Sequence, residues 1–114
     1  MAALTATTPT RAGTVSAGAA VAASDTISAA QLGVLGALLE IINGNASPDN
    51  VTITDPGATP AGSTLSGGTY AATVTNATAK IFYVSPKQVD TVTGLVTITH
   101  SVTSTVTYKL YPLG

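Results

Sequence analysis

The chain has 114 residues, a net charge of −1, 45% hydrophobic but only 8% charged residues, one histidine, no cysteine and no tryptophan. That length suits one domain. The missing cysteines exclude a disulfide framework and thiolate metal sites, and four basic residues that form no stripe exclude a nucleic-acid function. Much of the apolar share is alanine, with a single Phe82 and a single Met1. The core is therefore thin, and burial at roughly 25 cal/mol per Å² stabilises it modestly. A thin core and sparse charge suit a chain that packs against other protein.

Residues 1–20 are Ala, Thr, Ser and Gly around Pro9, with no apolar period. They are expected to form a flexible, extended N-terminal arm, either a disordered tail or a segment that orders against a neighbour. Arg11 is the only charge in it and is the candidate partner contact. Deleting residues 1–15 is then expected to leave melting nearly unchanged. The longest apolar stretch near the start, Ala17 to Ala23, is mostly Ala and Gly and has no basic flank, so no secretory signal is expected. The segment Leu32 to Ile42 is too short to span a bilayer and contains Glu40. No membrane association is expected.

Residues 21–114 read as the β-domain. Ser24-Asp25, between Val21 and Ile27, suits a bend between two short strands. Ser28 to Leu32 suits one helical turn, and Gln31-Leu32-Gly33 a turn. Gly36 to Asn43 has Leu38, Leu39, Ile41 and Ile42 around Glu40, a pattern that both a buried helix and a buried strand allow. Strand is preferred, because Asn43-Gly44-Asn45 ends it with turn chemistry and Val51 to Thr54 alternates after it. Asp55-Pro56-Gly57, Thr59-Pro60-Ala61-Gly62 and Gly67-Gly68 predict a long loop.

Tyr70, Ala72 and Val74 alternate, Asn76-Ala77-Thr78 reads as a hairpin connection, and Lys80 to Ser85 is a strand stopped by Pro86. Thr93-Gly94 is a turn, Leu95 to Val102 a strand, Ser104-Thr105 a tight turn, and Val106 to Leu110 the last strand before Pro112. Short strands at this regular spacing predict an all-β fold, an antiparallel β-sandwich or jelly-roll-like barrel.

The inventory for chemistry is small. His100 is in phase with Val96, Ile98 and Val102, which predicts a structural histidine on a core or interface face. No Gly-x-Ser-x-Gly elbow surrounds a serine, and one histidine cannot supply a transition-metal site. Asp49-Asn50 and Asp55 could converge on calcium, but turn duty explains them better. Gly57 to Gly68 lacks the Gly-Lys-Ser/Thr of a phosphate loop. Tyr70, Tyr83, Tyr108 and Tyr111 could line a carbohydrate-binding face, with core and interface packing as the default. No enzyme, catalytic residue, metal or cofactor is expected.

An ordered set of features adds a resemblance. An Ala/Thr/Gly-rich start leads to Ala23-Ser24-Asp25-Thr26-Ile27, and an apolar strand closes on Ile42-Asn43-Gly44. Val51-Thr52-Ile53-Thr54-Asp55-Pro56-Gly57 follows, then Thr59-Pro60-Ala61-Gly62. Lys80-Ile81-Phe82-Tyr83-Val84 runs into Ser85-Pro86, Thr93-Gly94-Leu95-Val96-Thr97-Ile98 comes next, and Leu110-Tyr111 ends the series. Over residues 20–114 this resembles the small capsid decoration proteins, also called minor capsid or cement proteins, of tailed phages that infect actinobacteria. Thr91 stands after Asp90 where that family is expected to carry Pro.

The resemblance implies a homotrimeric structural module, made in the host cytoplasm and carried on the virion exterior. It would bind the major capsid protein at junctions of the outer lattice and stabilise the mature shell. The competing readings are a head fibre base or tail component, and a carbohydrate-binding β-module that meets a host-surface glycan.

Overall fold

The computed structural model describes residues 2–8, 10–15, 18–54, 69–90 and 94–113. Among them nine strands form two sheets. In chain order they are β1 (Ala2–Ala3), β2 (Ala19–Ala20), β3 (Ser24–Ser28), the short helix α1 (Ala29–Leu32), β4 (Ala37–Asn43), β5 (Asp49–Thr54), β6 (Thr69–Val74), β7 (Thr78–Val84), a 3-10 turn (Pro86–Gln88), β8 (Leu95–His100) and β9 (Val106–Pro112). One sheet has the order β1-β3-β8-β5-β6 and the other β2-β9-β4-β7. All pairings are antiparallel except the two-residue β1–β3 contact, which is parallel. The molecule is a β-sandwich, as the strand spacing predicts.

Period-2 alternation aims one set of side chains from each sheet into the gap. From the four-stranded sheet come Leu39 and Ile41 of β4, Phe82 and Val84 of β7, and Val106, Tyr108 and Leu110 of β9. Ile27, Val96, Ile98, Val51, Ile53 and Val74 meet them from the other sheet. The stretch that both periods allowed is strand β4, and its burial alternates along its length. It is the central partner of β7 and β9, so strand pairing satisfies its backbone on both sides.

Two turns use the same local device. Ser28 caps α1 by accepting from the Gln31 backbone, while the Gln31 side chain accepts from the Ser28 backbone. Ser85 and Gln88 repeat this capping box at the 3-10 turn. Each glutamine then spends its amide on a distant carbonyl: Gln31 Nε2 donates to Leu4 O at 2.7 Å and Gln88 Nε2 to Thr54 O at 3.4 Å. The caps therefore tie local turns to the packing of the sandwich. Ala77 and Thr105 take left-handed φ values of 61° and 58° at the expected turns.

One sequence expectation changes. Ser24-Asp25 is not a bend; both residues lie in β3, and the bend falls at Ala23. Turn chemistry suggested otherwise, but Asp25 is in phase with Ile27 and satisfies its carboxylate within the fold. Residues 2–7 and 19–20 of the expected arm lie on the sandwich itself, while residues 10–15 form an exposed turn. β1 pairs with β3, Leu4 is buried, and Leu4 N donates to Thr26 O. Thr5 N donates to the Tyr108 hydroxyl at 2.8 Å and Thr7 N to Leu110 O at 2.7 Å. The segment thus crosses from the edge of one sheet to the other and seals that side. One large residue with no periodic neighbours gave no sequence signal for it. The predicted loop from Asp55 to Gly68, and Thr91 and Thr93, lie outside the described residues.

Candidate functional site

The ionisable groups that the fold brings together are Asp25, Asp49 and His100. Directly paired strand residues share a face, and diagonal neighbours two positions away lie within reach of long side chains. β8 pairs with β5 as Val51 with His100, and with β3 as Asp25 with Ile98. Asp49 and Asp25 are thus the two diagonal neighbours of His100 on the inner face. Alternation that carries Val96 and Ile98 into the core carries His100 in after them.

His100 Nδ1 lies 2.6 Å from Asp49 Oδ2, and Nε2 lies 3.8 Å from Asp25 Oδ2. Side-chain exposure is 1% for His100, 0% for Asp49 and 2% for Asp25. Asp49 Oδ2 shares a hydrogen bond with His100 Nδ1, and the other Asp49 oxygen accepts the backbone N–H groups of Ser101 at 3.0 Å and Val102 at 3.2 Å. Asp25 accepts the Ala22 backbone N–H at 3.1 Å, and His100 N donates to Ala23 O. The cluster therefore holds the chain entering β3 and the chain leaving β8 against the start of β5. Buried carboxylates persist where such donors satisfy them.

The geometry positions loops; it does not present a reacting atom to solvent. His100 is structural in placement, as its phase predicts. Asp49 is not a turn residue: it begins β5 and points inward. Its phase with Val51 and Ile53 was the available signal, obscured by Asn50 and the turn residues before it. Asp55 lies outside the described residues, so its convergence with Asp49 has no structural account here. Among the described residues no group of three or more His, Cys, Asp or Glu side chains is arranged to hold a metal ion, and no helix is long and apolar enough to cross a membrane.

Arg11 is exposed on a turn braced by Gly13 N to Thr10 O and by the Thr10 and Thr14 hydroxyls. The tyrosines do not form one face. Tyr108 points into the core, and its hydroxyl accepts from Thr5. Tyr83 and Tyr111 share the outer face of the four-stranded sheet through their common pairing with Leu38. Tyr83 donates its hydroxyl to Leu35 O at 2.8 Å, and its ring lies so close to Gly36 that a Cβ there would meet it at 3.0 Å. That ring covers the chain's own backbone. The side chain of Tyr70 lies outside the described residues.

Comparison with known protein families, with curated proteins and with solved structures finds no match.

Proposed function

We propose that this chain is a structural binding module of the capsid-decoration kind, attached to the outer surface of a phage shell. The observation that supports this reading best is the sealing of His100, the chain's one histidine, between Asp25 and Asp49 inside the sandwich. The groups best suited to acid–base work staple strand ends together, and the molecule offers its partners surfaces. Those surfaces carry few charges, which suits contact with protein. The resemblance of its turn and strand order to decoration proteins supports the major capsid protein as the partner.

In this reading the action is mechanical. A maturing shell flattens and exposes junctions between capsid subunits. A module that binds only the expanded lattice stabilises it by linkage, and one that touches several subunits at once gains through effective concentration.

Quantitative mass spectrometry of purified phage particles tests the proposal, together with re-addition of the chain to stripped, expanded shells. The expected result is a copy number comparable to that of the major capsid protein and saturable rebinding. A few copies per particle would assign the chain to a tail or head-fibre part, and absence from particles would overturn the virion role.

A further inference from the structure

The outer face of the four-stranded sheet is apolar where the fold does not require it. Ile81 is 62% exposed and Tyr83 55% exposed. Beside them lie Leu38 and Ile42 of β4 and Tyr111 of β9, all half-buried. Contiguous apolar surface of this kind marks an interaction site.

Register orders this face into rows. Tyr83, Leu38 and Tyr111 form one row; Ile81, Glu40 and Lys109 the next; Ala79, Ile42 and Thr107 the third, with Ala20 of β2 beyond Thr107. The charges in these rows are one acid and one base, side by side at the centre. Among the described residues no ion pair within 4.0 Å joins Glu40 to Lys109.

We propose that this face docks a second copy of the chain, about a two-fold axis that runs parallel to the strands between β4 and β9. The charges select that axis. It sets β4 of one copy over β9 of the other and keeps each row at its own level. Glu40 then meets Lys109 of the partner twice, and Leu38 meets the partner's Tyr111 twice. A two-fold axis across the strands through the Glu40 row would set Glu40 on Glu40 and Lys109 on Lys109.

The same axis sets the large β7 side chains over the small residues along β2. Ile81 falls at the level of Gly18 and Ala79 at that of Ala20. A self-complementary patch of this kind is what a two-fold interface needs. Aligned packing of two sheets supplies the geometry. Four strands at about 4.8 Å spacing and seven residues at about 3.3 Å rise cover roughly 440 Å² per copy. That lies at the small end of specific interfaces, so the pair should dissociate on dilution. This inference does not depend on the capsid reading; it replaces the expected trimer with a two-fold pair as the unit in solution.

Sedimentation velocity over a concentration series tests it, on the full chain and on Glu40→Lys and Lys109→Glu variants checked for fold by circular dichroism. The wild type should pass from one chain to two as concentration rises. Each variant alone brings like charges together twice and should dimerise at least roughly tenfold more weakly. Mixed in equal amounts, the two variants restore both opposite-charge contacts, so association should return in the mixture. A monomer at all concentrations, a mass of three chains, or a mixture no better than its components would overturn the two-fold pair. Particle copy number is measured separately, so either proposal can fail while the other stands.

Discussion

The two sheets bury similar inner faces and turn unlike outer faces to their surroundings. On the five-stranded sheet the outward positions are Ser24 on β3, Thr97 and Thr99 on β8, and Thr52 and Thr54 on β5, all half-buried, while Thr26 of β3, in the same phase, is buried. Their hydroxyls bond to one another and to backbone: Thr52 with Thr99, Thr54 with Thr97. Threonine keeps β-branched strand propensity while placing little apolar area in water. On the four-stranded sheet the equivalent positions include Leu38, Ile42, Ile81, Tyr83 and Tyr111, around Glu40 and Lys109 and beside Ala79 and Thr107. Folding asks only for the inner faces, so the hydroxyl ladder shows how this chain makes a solvated face when it needs one. The apolar face is the departure, and the proposed two-fold pairing would cover it.

The largest effect should come from the polar end of the core. Asp49→Ala removes the hydrogen-bond partner of the buried His100 Nδ1 and of two part-buried backbone N–H groups. Breaking such a buried set costs about 3–5 kcal/mol, a large part of the stability of a small domain. Urea unfolding should show a collapsed midpoint, while Asp49→Asn, which keeps an acceptor oxygen, should retain part of it. An unchanged midpoint for Asp49→Ala would show that the cluster does not hold the strand ends.

A second substitution pair compares the two faces of one strand. Leu39 of β4 is fully buried, and Leu38 beside it faces outward. Leu39→Ala should cost about 3 kcal/mol through lost burial and a residual cavity. Leu38→Ala, measured on dilute monomer, should cost under about 1 kcal/mol. Equal losses would mean that the outer face contributes to folding, which would remove the contrast between the sheets.

Much of this was legible in the sequence. Strands with a polar outer face alternate cleanly, so Val51 to Thr54 and Leu95 to Val102 read as strands at once, the second two residues longer than β8, which ends at His100. β4 was ambiguous because most of its outer face is also apolar, so that Leu38 and Ile42 break the polar alternation a half-exposed strand shows. The two Ser-x-x-Gln caps, Ser28 with Gln31 and Ser85 with Gln88, emerge only from the structure, because so short a motif takes meaning from the turn it closes. Asp25 and Asp49 were obscured because an acid beside Ser or Asn reads as turn chemistry, and only pairing across strands reveals that both flank His100. Leu4 had no local signal, since its partners are far away in the chain.

That buried leucine allows a smaller effect to be measured at the edge shared by both sheets. Leu4→Ala should lower stability by about 2 kcal/mol, near the low end for a buried leucine because residues 2–8 can detach without opening the rest. Hydrogen exchange at Thr5 and Thr7, whose amides bond Tyr108 and Leu110, should accelerate more than exchange in β4. Uniform acceleration would show the segment unfolding with the whole domain, and no change in melting would return residues 1–20 to the role of a free arm.

The smallest effect belongs to the hydroxyl ladder. β5 and β8 pair by backbone register as far as Ile53 and Ile98. One step further, the Thr54 hydroxyl takes over: it donates to Thr97 O and accepts Thr97 N, both at 3.0 Å. A side chain thus completes both hydrogen bonds of the next residue. Thr54→Val keeps the shape and the strand propensity but removes both bonds, leaving a half-buried backbone donor and acceptor to water. The expected cost is about 1 kcal/mol. Thr73→Val is the control, because among the described residues its hydroxyl bonds only to the exposed Asn50 side chain, and it should change stability by less than about 0.5 kcal/mol. If the two variants melt together, the ladder gives solubility without stability, and threonine on this face serves only to keep it wet. If Thr54→Val alone falls, the polar face stabilises its own sheet through hydroxyls, a contribution that the outward Leu38 and Ile81 have no means to make without a partner.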